Sequence, residues 1–168
     1  MQRRTLLKLG LGSATVLVLA GGAMALLQPG LRGNALSPVG REVFASVGQA
    51  VLDKSLPAAA GPRQAAIKEL LGRIDTLVHA LPPHAQDELS QLLSLLGSTA
   101  ARRTLAGLGP AWADASVAEV QQALQGMRMS SLALRQQAYA ALHDIATGAY
   151  FADAATWPML GYPGPLKI

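Results

Sequence analysis

The segment SPVGREVFASVGQAVL, residues 37–52, carries the clearest structural pattern in the sequence. Ser37 followed by Pro38 is typical of a helix start, because a serine hydroxyl caps free backbone N–H groups and proline suits the first turn. The apolar residues that follow recur at spacings of three and four, which predicts one amphipathic helix over about 38–54. They are Val39, Val43, Phe44, Val47, Val51 and Leu52.

The sequence beyond this helix repeats the same kind of pattern. Further helices are predicted over about 62–80, 84–97, 98–108 and 117–126, and from Ser130 or Ser131 to about residue 150. Ser98 and the capping box Ser116–Glu119 mark two of the starts, and no strand is predicted. The sequence therefore predicts an all-α fold, an irregular helical bundle over residues 37–150. Its expected core includes Leu70, Leu71, Ile74, Leu89, Leu92, Leu93, Leu142 and Ile145.

The composition favours a helical protein and excludes several kinds of site. The chain has 168 residues, of which 31 are alanine and 29 leucine, and 14% are charged. It has no cysteine, which excludes disulfides, iron–sulfur clusters and a thiol nucleophile. Arg3, Arg4 and Lys8 hold three of the fourteen positive charges. Because the other cations form no basic stripe, nucleic-acid binding is not expected.

The first 27 residues have the layout of an export signal, a basic start followed by an uncharged run over residues 9–27. The start resembles the signal read by the twin-arginine translocase: two arginines, a spacer, two apolar residues and a lysine. The matching residues are Arg3, Arg4, Leu6, Leu7 and Lys8. This resemblance implies export to the periplasm in a folded state. An ordinary Sec signal or membrane anchor that begins with two arginines is the alternative.

The sequence allows two fates for this segment. Ala23 and Ala25 form an A-x-A cleavage site near the end of the apolar run. Without cleavage, residues 5–27 would anchor the chain in the inner membrane, since the nineteen uncharged residues 9–27 would span about 28 Å as a helix, close to the thickness of the hydrocarbon core. Residues 28–36 are predicted to be a linker between this segment and the helical bundle.

No catalytic, cofactor-binding or metal site is predicted in the bundle. His79 and His84 flank a Leu-Pro-Pro break, and His143 lies within a helix, so no two histidines share a helix face. The Met127-x-Met129 pair is interpreted as core packing rather than a copper site, because no histidine is near it in sequence. An exported chain without a cofactor site of its own suggests an escort for a protein that has one.

Residues 151–168 are predicted to form an extended tail that binds a partner. The tail is rich in large apolar side chains, and its prolines restrict the backbone, so ordering it on a surface loses less entropy. Tryptophan and tyrosine are also enriched at interface hot spots. The alternative is that the tail folds back over its own bundle, with Trp157 in the core. The predicted binding residues are Phe151, Trp157, Tyr162, Pro163, Gly164 and Pro165.

Together with the N-terminal signal, three features resemble one protein family. These are the opening Leu36-Ser37-Pro38 with Val43-Phe44 and Val51-Leu52, the helical middle, and the ending from Tyr150-Phe151-Ala152-Asp153 to Trp157-Pro158-Met159-Leu160-Gly161-Tyr162-Pro163-Gly164-Pro165. The chain is similar to the small subunit of bacterial membrane-associated flavin dehydrogenases, the gluconate 2-dehydrogenase subunit 3 type. The tryptophan followed by Gly-Tyr-Pro-Gly-Pro is the most specific part of the resemblance.

The resemblance implies an accessory subunit rather than an enzyme. In that family a larger FAD-dependent oxidoreductase of the glucose–methanol–choline (GMC) type does the chemistry, and a cytochrome subunit or a quinone often accepts the electrons. The small subunit carries the export signal, binds the large subunit and is thought to aid its export and maturation, without binding flavin itself. The alternative function is an exported or membrane-anchored helical binding or structural protein that has no redox partner.

Overall fold

The computed structural model describes residues 28–164, of which 69% are helical and 3% lie in strands. The prediction of a helical protein is confirmed. A hairpin of β1 (Leu31–Arg32) and β2 (Ala35–Leu36) precedes the helices. The helices are α1 (Pro38–Val51), α2 (Ala60–His79), α3 (Pro83–Gly97), α4 (Thr99–Ala101), a π-helical turn (Arg102–Ala106), α5 (Val117–Arg128), α6 (Ala133–Phe151) and a 3₁₀ helix (Ala154–Leu160).

Helix α1 lies at the centre of the bundle and packs against α2, α3, α5 and α6. It begins where the sequence predicts, because the Ser37 hydroxyl accepts a hydrogen bond from the Gly40 N–H at 3.2 Å. Val43, Phe44 and Val47 have no solvent exposure. The core is therefore built around the segment with the clearest helical pattern.

Two of the other predicted capping residues are confirmed, and the predicted start of one helix is wrong. Ser98 caps α4, and Ser116 caps α5 through the predicted capping box with Glu119. The backbone N–H of Ser116, and then its hydroxyl, lower the pKa of the Glu119 carboxyl below its ordinary value. The predicted start of α6 at Ser130 or Ser131 is wrong. The Ser130 hydroxyl instead accepts from the Leu132 N–H at 3.2 Å, which forms a turn before the helix.

Residues 28–36 differ from the predicted linker, because they fold onto the bundle and contain the hairpin that the sequence analysis did not predict. The Gly30 N–H donates to the Ser94 hydroxyl at 2.9 Å, and the Leu36 N–H donates to the Asp75 carboxylate at 2.8 Å. A β-carbon on Gly30 would lie 2.5 Å from the Ser90 carbonyl oxygen. Glycine is thus required here by the close approach of the hairpin to α3.

Five of the eight predicted core side chains are buried, and three are only half-buried. The half-buried ones are Leu71, Leu92 and Ile145. On α3 the fully enclosed positions are Leu93 and Leu96, and Leu92 lies at the margin of that face. The predicted apolar stripe was wider than the face that the neighbouring helices cover.

Trp112 is a core residue that the sequence analysis missed. Its side chain is buried, and its indole N–H donates to the Leu96 carbonyl at 2.8 Å. The Ser46 hydroxyl donates to the Trp112 carbonyl at 2.6 Å. These two bonds tie the loop before α5 to α3 and to the central helix.

The predicted signal or anchor, residues 1–27, lies outside the described residues, and so do its motif residues Arg3, Arg4, Leu6, Leu7 and Lys8 and its cleavage residues Ala23 and Ala25. Within residues 28–164, no helix is both long enough and apolar enough to cross a bilayer.

Adjacent leucines on α3 provide a test of the core. Leu93→Ala should lower the free energy of unfolding by roughly 2–5 kcal/mol, because it opens a cavity in a fully enclosed site. Leu92→Ala is the matched control and should cost clearly less, since that side chain is half-buried. Urea denaturation followed by circular dichroism measures both. Equal costs for the two variants would show that the buried face of α3 is assigned wrongly.

Candidate partner-binding site

The C-terminal tail begins where α6 ends at Phe151. Asp153 starts a 3₁₀ helix, because its carboxylate accepts from the Ala155 N–H at 2.9 Å. The Thr156 hydroxyl donates to the Asp153 carbonyl at 2.7 Å, and the Thr156 side chain is buried. Gly161, with φ of 69°, ends the 3₁₀ helix in the left-handed region. Residues 154–160 are thus helical, where the sequence analysis predicted an extended chain.

The indole of Trp157 is held in place by the end of α6. Its N–H donates to the Phe151 carbonyl at 2.9 Å, which satisfies a carbonyl group at the helix terminus. The Tyr162 ring packs edge-on against the indole, with the ring centroids 5.3 Å apart. Gly164 also approaches the indole, since a β-carbon there would lie 3.7 Å from it. The aromatic pair is therefore fixed by local contacts within the tail.

A groove open to solvent runs along this aromatic pair. Its lining combines the two rings with proline and glycine backbone: Ala154, Trp157, Pro158, Gly161, Tyr162, Pro163 and Gly164. Leu160 and Tyr162 beside it are 55% and 47% exposed. Large apolar side chains are thus presented to solvent from an ordered backbone.

Contacts with α2 and with the loop after α1 hold the base of the tail to the bundle. The Asp153 carboxylate accepts from the Arg73 guanidinium at 2.9 Å. The Tyr150 hydroxyl donates to the Ser55 carbonyl at 2.8 Å, and its ring packs edge-on against Phe151. The ion pair is partly exposed and stabilises little, so burial of Tyr150 and Thr156 contributes most to this attachment.

Four of the six predicted binding residues line this groove, namely Trp157, Tyr162, Pro163 and Gly164. Phe151 contributes its carbonyl to the Trp157 indole while its side chain packs against the core, and Pro165 lies outside the described residues. Trp157 is half-buried and does not belong to the core, so the alternative that made it a core residue is wrong. The tail nevertheless folds back onto the end of α6, as that alternative expected. Whether these residues bind a partner stays a prediction.

The histidines lie apart from the tail. His79 Nδ1 is 3.3 Å from the Asn34 amide nitrogen, and His143 Nδ1 is 3.0 Å from the Asp144 carboxylate. Among residues 28–164, no three His, Asp or Glu side chains are grouped so as to hold a metal ion.

Comparisons of the chain with protein-family models, with curated proteins and with solved structures found no match. The resemblance to the flavin dehydrogenase subunits therefore stays a prediction from the sequence.

Proposed function

We propose that this chain is a noncatalytic accessory subunit that escorts a folded FAD-dependent dehydrogenase through the twin-arginine route and stabilises it in the periplasm. The partner is a large oxidoreductase of the GMC type, which holds the FAD and does the chemistry. A cytochrome subunit or a quinone takes the electrons, and the chain itself holds no cofactor. Residues 1–27 serve as the export signal, or as an anchor in the inner membrane if they are not cleaved.

The exposed aromatic tail is the observation that carries this proposal. Leu160 ends an ordered 3₁₀ helix and Tyr162 follows its C-cap, yet both side chains are about half exposed. A monomer gains little from presenting apolar side chains this way, whereas a partner surface would bury them. The same residues belong to the Trp-to-Gly-Tyr-Pro-Gly-Pro ending on which the family resemblance mainly depends.

The tail is also suited to binding in energetic terms. The hydrogen bond from Trp157 to Phe151 and the edge contact with Tyr162 hold the aromatic pair in one arrangement before any partner arrives. Binding then orders few additional side chains, which would each cost about 0.5–1.5 kcal/mol if they were mobile. A small preorganised surface of this kind favours a specific complex over loose adhesion.

The N-terminal motif supports the escort role. The twin-arginine route exports folded proteins, commonly with their cofactors in place, and this chain carries Arg3-Arg4-x-Leu-Leu-Lys without an evident cofactor site in its sequence. A signal on one subunit suffices for a complex if the subunits bind before export.

Exposed tail residues provide the test of the docking step. Leu160→Ser with Tyr162→Ser should abolish co-purification of a flavoprotein from the native host, because hot-spot truncations each cost about 2 kcal/mol or more. Flavin absorbance of the purified complex measures the loss. The matched control is Met129→Ser with Leu132→Ser, which removes two other exposed apolar side chains far from the tail.

Point substitutions are preferable to deleting residues 156–168, because Thr156 is buried and Trp157 covers the end of α6. Both double variants should keep the unfolding temperature of the parent, since they change exposed residues. Full recovery of the flavoprotein with the tail variant would contradict docking through the tail. Recovery of no flavoprotein with the parent chain would favour the alternative, a binding or structural protein without a redox partner.

The escort role predicts a second, separate result. Replacing Arg3 and Arg4 together by lysine should keep both this chain and its flavoprotein in the cytoplasm, because lysine lacks the planar guanidinium that the signal requires. Cell fractionation with flavin detection in each fraction measures the distribution. Normal export of the flavoprotein in this variant would contradict the escort role, while leaving the binding of the two subunits untouched.

A further inference from the structure

The end of the bundle opposite the tail carries an unusual charge distribution. Residues 102–110 and 122–135 contain Arg102, Arg103, Arg128 and Arg135 and no acidic residue. In the described part of the chain, none of these four guanidinium groups is within 4.0 Å of a carboxylate. The described chain has four other arginines, and three of these form ion pairs. The pairs join Arg41 to Asp75, Arg63 to Asp53, and Arg73 to Glu69 and Asp153.

The two basic segments meet in space around Arg135. Its Nε donates to the Leu105 carbonyl at 2.9 Å. A β-carbon placed on Gly107 or on Gly126 would lie 3.4 or 3.7 Å from its Nη2 atom. The π-helical turn, the loop after it, the end of α5 and the start of α6 therefore converge on one face, which we call the basic end.

Arg102 is the most unusual of these side chains. It is only 8% exposed, and its Nε is buried without a hydrogen-bond partner among the described residues. Burying this N–H without an acceptor is costly, and an anion bound at the nearby surface would offset part of the cost of burying the guanidinium charge. It also lies in a π-helical turn, a rare conformation that is often found at functional sites.

A groove at the basic end is lined by the loop 107–110, by α5 and by Arg135. Glu119 also lines it, but its carboxylate accepts from the backbone N–H and the hydroxyl of Ser116 at 2.8 and 2.7 Å. This acidic side chain is therefore engaged in capping α5, and Arg135 is the one cationic side chain among the lining residues.

Two apolar side chains project from the turn that joins α5 to α6. Met129 is 70% exposed and Leu132 is 62% exposed, the two largest values among the exposed large hydrophobic residues of the described chain. The turn directly follows Arg128 and precedes Arg135 by a few residues. Protruding apolar side chains next to unpaired arginines are the combination with which peripheral proteins bind anionic membranes.

We propose that the basic end docks onto an anionic lipid bilayer, with Met129 and Leu132 inserted among the lipids and with Arg103, Arg128 and Arg135 bound to lipid phosphates. Guanidinium groups suit this partner because their planar fork matches the oxygens of a phosphate. An acidic protein would also match the charge. A bilayer is favoured because the two apolar side chains protrude singly from a turn, whereas a protein partner would need a broader apolar contact.

The position of this surface leaves the tail free. Arg135 lies in the first turn of α6, and Phe151 ends that helix 16 residues later. The helix spans about 28 Å, so the basic end and the tail lie at opposite ends of the bundle. The chain could thus bind a bilayer and a protein partner at once. The inference does not depend on the proposed function, since it concerns different residues.

A fluorescent label on the turn tests the proposal directly. The chain has no cysteine, so Leu132→Cys accepts a single environment-sensitive fluorophore on the full chain. Its emission should shift to the blue with phosphatidylcholine vesicles that contain about a quarter phosphatidylglycerol, and should shift little with phosphatidylcholine alone. Tyr162→Cys at the opposite end is the control and should not respond. Residues 1–27 are present throughout, and the label reports only the turn.

Matched charge variants test the role of the arginines. Arg103→Glu with Arg128→Glu should weaken the response at residue 132 by more than about 25-fold in lipid concentration, because each lost cation contributes about a factor of five and the two new carboxylates add repulsion. Arg32→Glu with Lys54→Glu changes the net charge equally at exposed positions elsewhere and should have a much smaller effect.

Three results of the fluorescence experiment would overturn docking onto a bilayer. No shift at residue 132, or equal shifts with the two kinds of vesicle, overturns the proposal. A shift with soluble poly-glutamate that exceeds the shift with lipid overturns it in favour of an acidic protein. Should Leu132→Cys fail to fold by circular dichroism, Met129→Cys on the same turn carries the label instead, and the same criteria apply.

Discussion

The enclosure of helix α1 is the constraint on which the rest of the structure depends. Four helices pack around it, and half of its fourteen residues are buried. Neighbours can approach so closely only because small residues alternate with large ones along the helix. A β-carbon on Gly40 would lie 2.5 Å from the Gly30 carbonyl oxygen, and one on Gly48 would lie 2.6 Å from a methyl group of Leu70. The hairpin and α2 are therefore positioned by the shape of α1 as much as by its hydrophobicity.

This packing also separates the two surfaces that remain exposed. Helix α6 lies along α1, with its C-terminal end beside the loop after α1, where Tyr150 donates to Ser55. Its N-terminal end lies against the π-helical turn, where Arg135 donates to Leu105. One helix thus holds the aromatic tail at one end and the basic end at the other. The ion pairs of Arg41, Arg63 and Arg73 neutralise charge elsewhere, whereas the arginines of the basic end form no ion pair within the described chain.

Local signals in the sequence predicted the helices well where a cap or a proline marks the start, as at Ser37 and Ser116. These local signals failed where tertiary contacts determine the structure. The strands β1 and β2 have two residues each, too few for any periodicity, and their stability comes from Asp75 and Ser94 on distant helices. Trp112 was missed for the same reason, because its hydrogen-bond acceptor on α3 lies sixteen residues away. The margin of the core at Leu92 depends on which neighbours cover α3, and periodicity carries no information on that.

The candidate site shows the same division between local and distant causes. The aromatic and proline residues of the tail were predicted as a set from composition, but their arrangement depends on contacts that the sequence does not show, such as the bond from the Trp157 indole to the Phe151 carbonyl. These contacts hold the tail against α6 and leave Tyr162 exposed, together with Leu160, which was not among the predicted binding residues. At the other end, Met127 and Met129 were interpreted together as packing. Only Met127 is buried, because α5 ends at Arg128 and the helical face no longer extends to Met129. The Ser130-Ser131 pair after Met129 is typical of a turn. The exposure of Met129 could therefore have been predicted from the end of the helix, but not from the spacing of apolar residues.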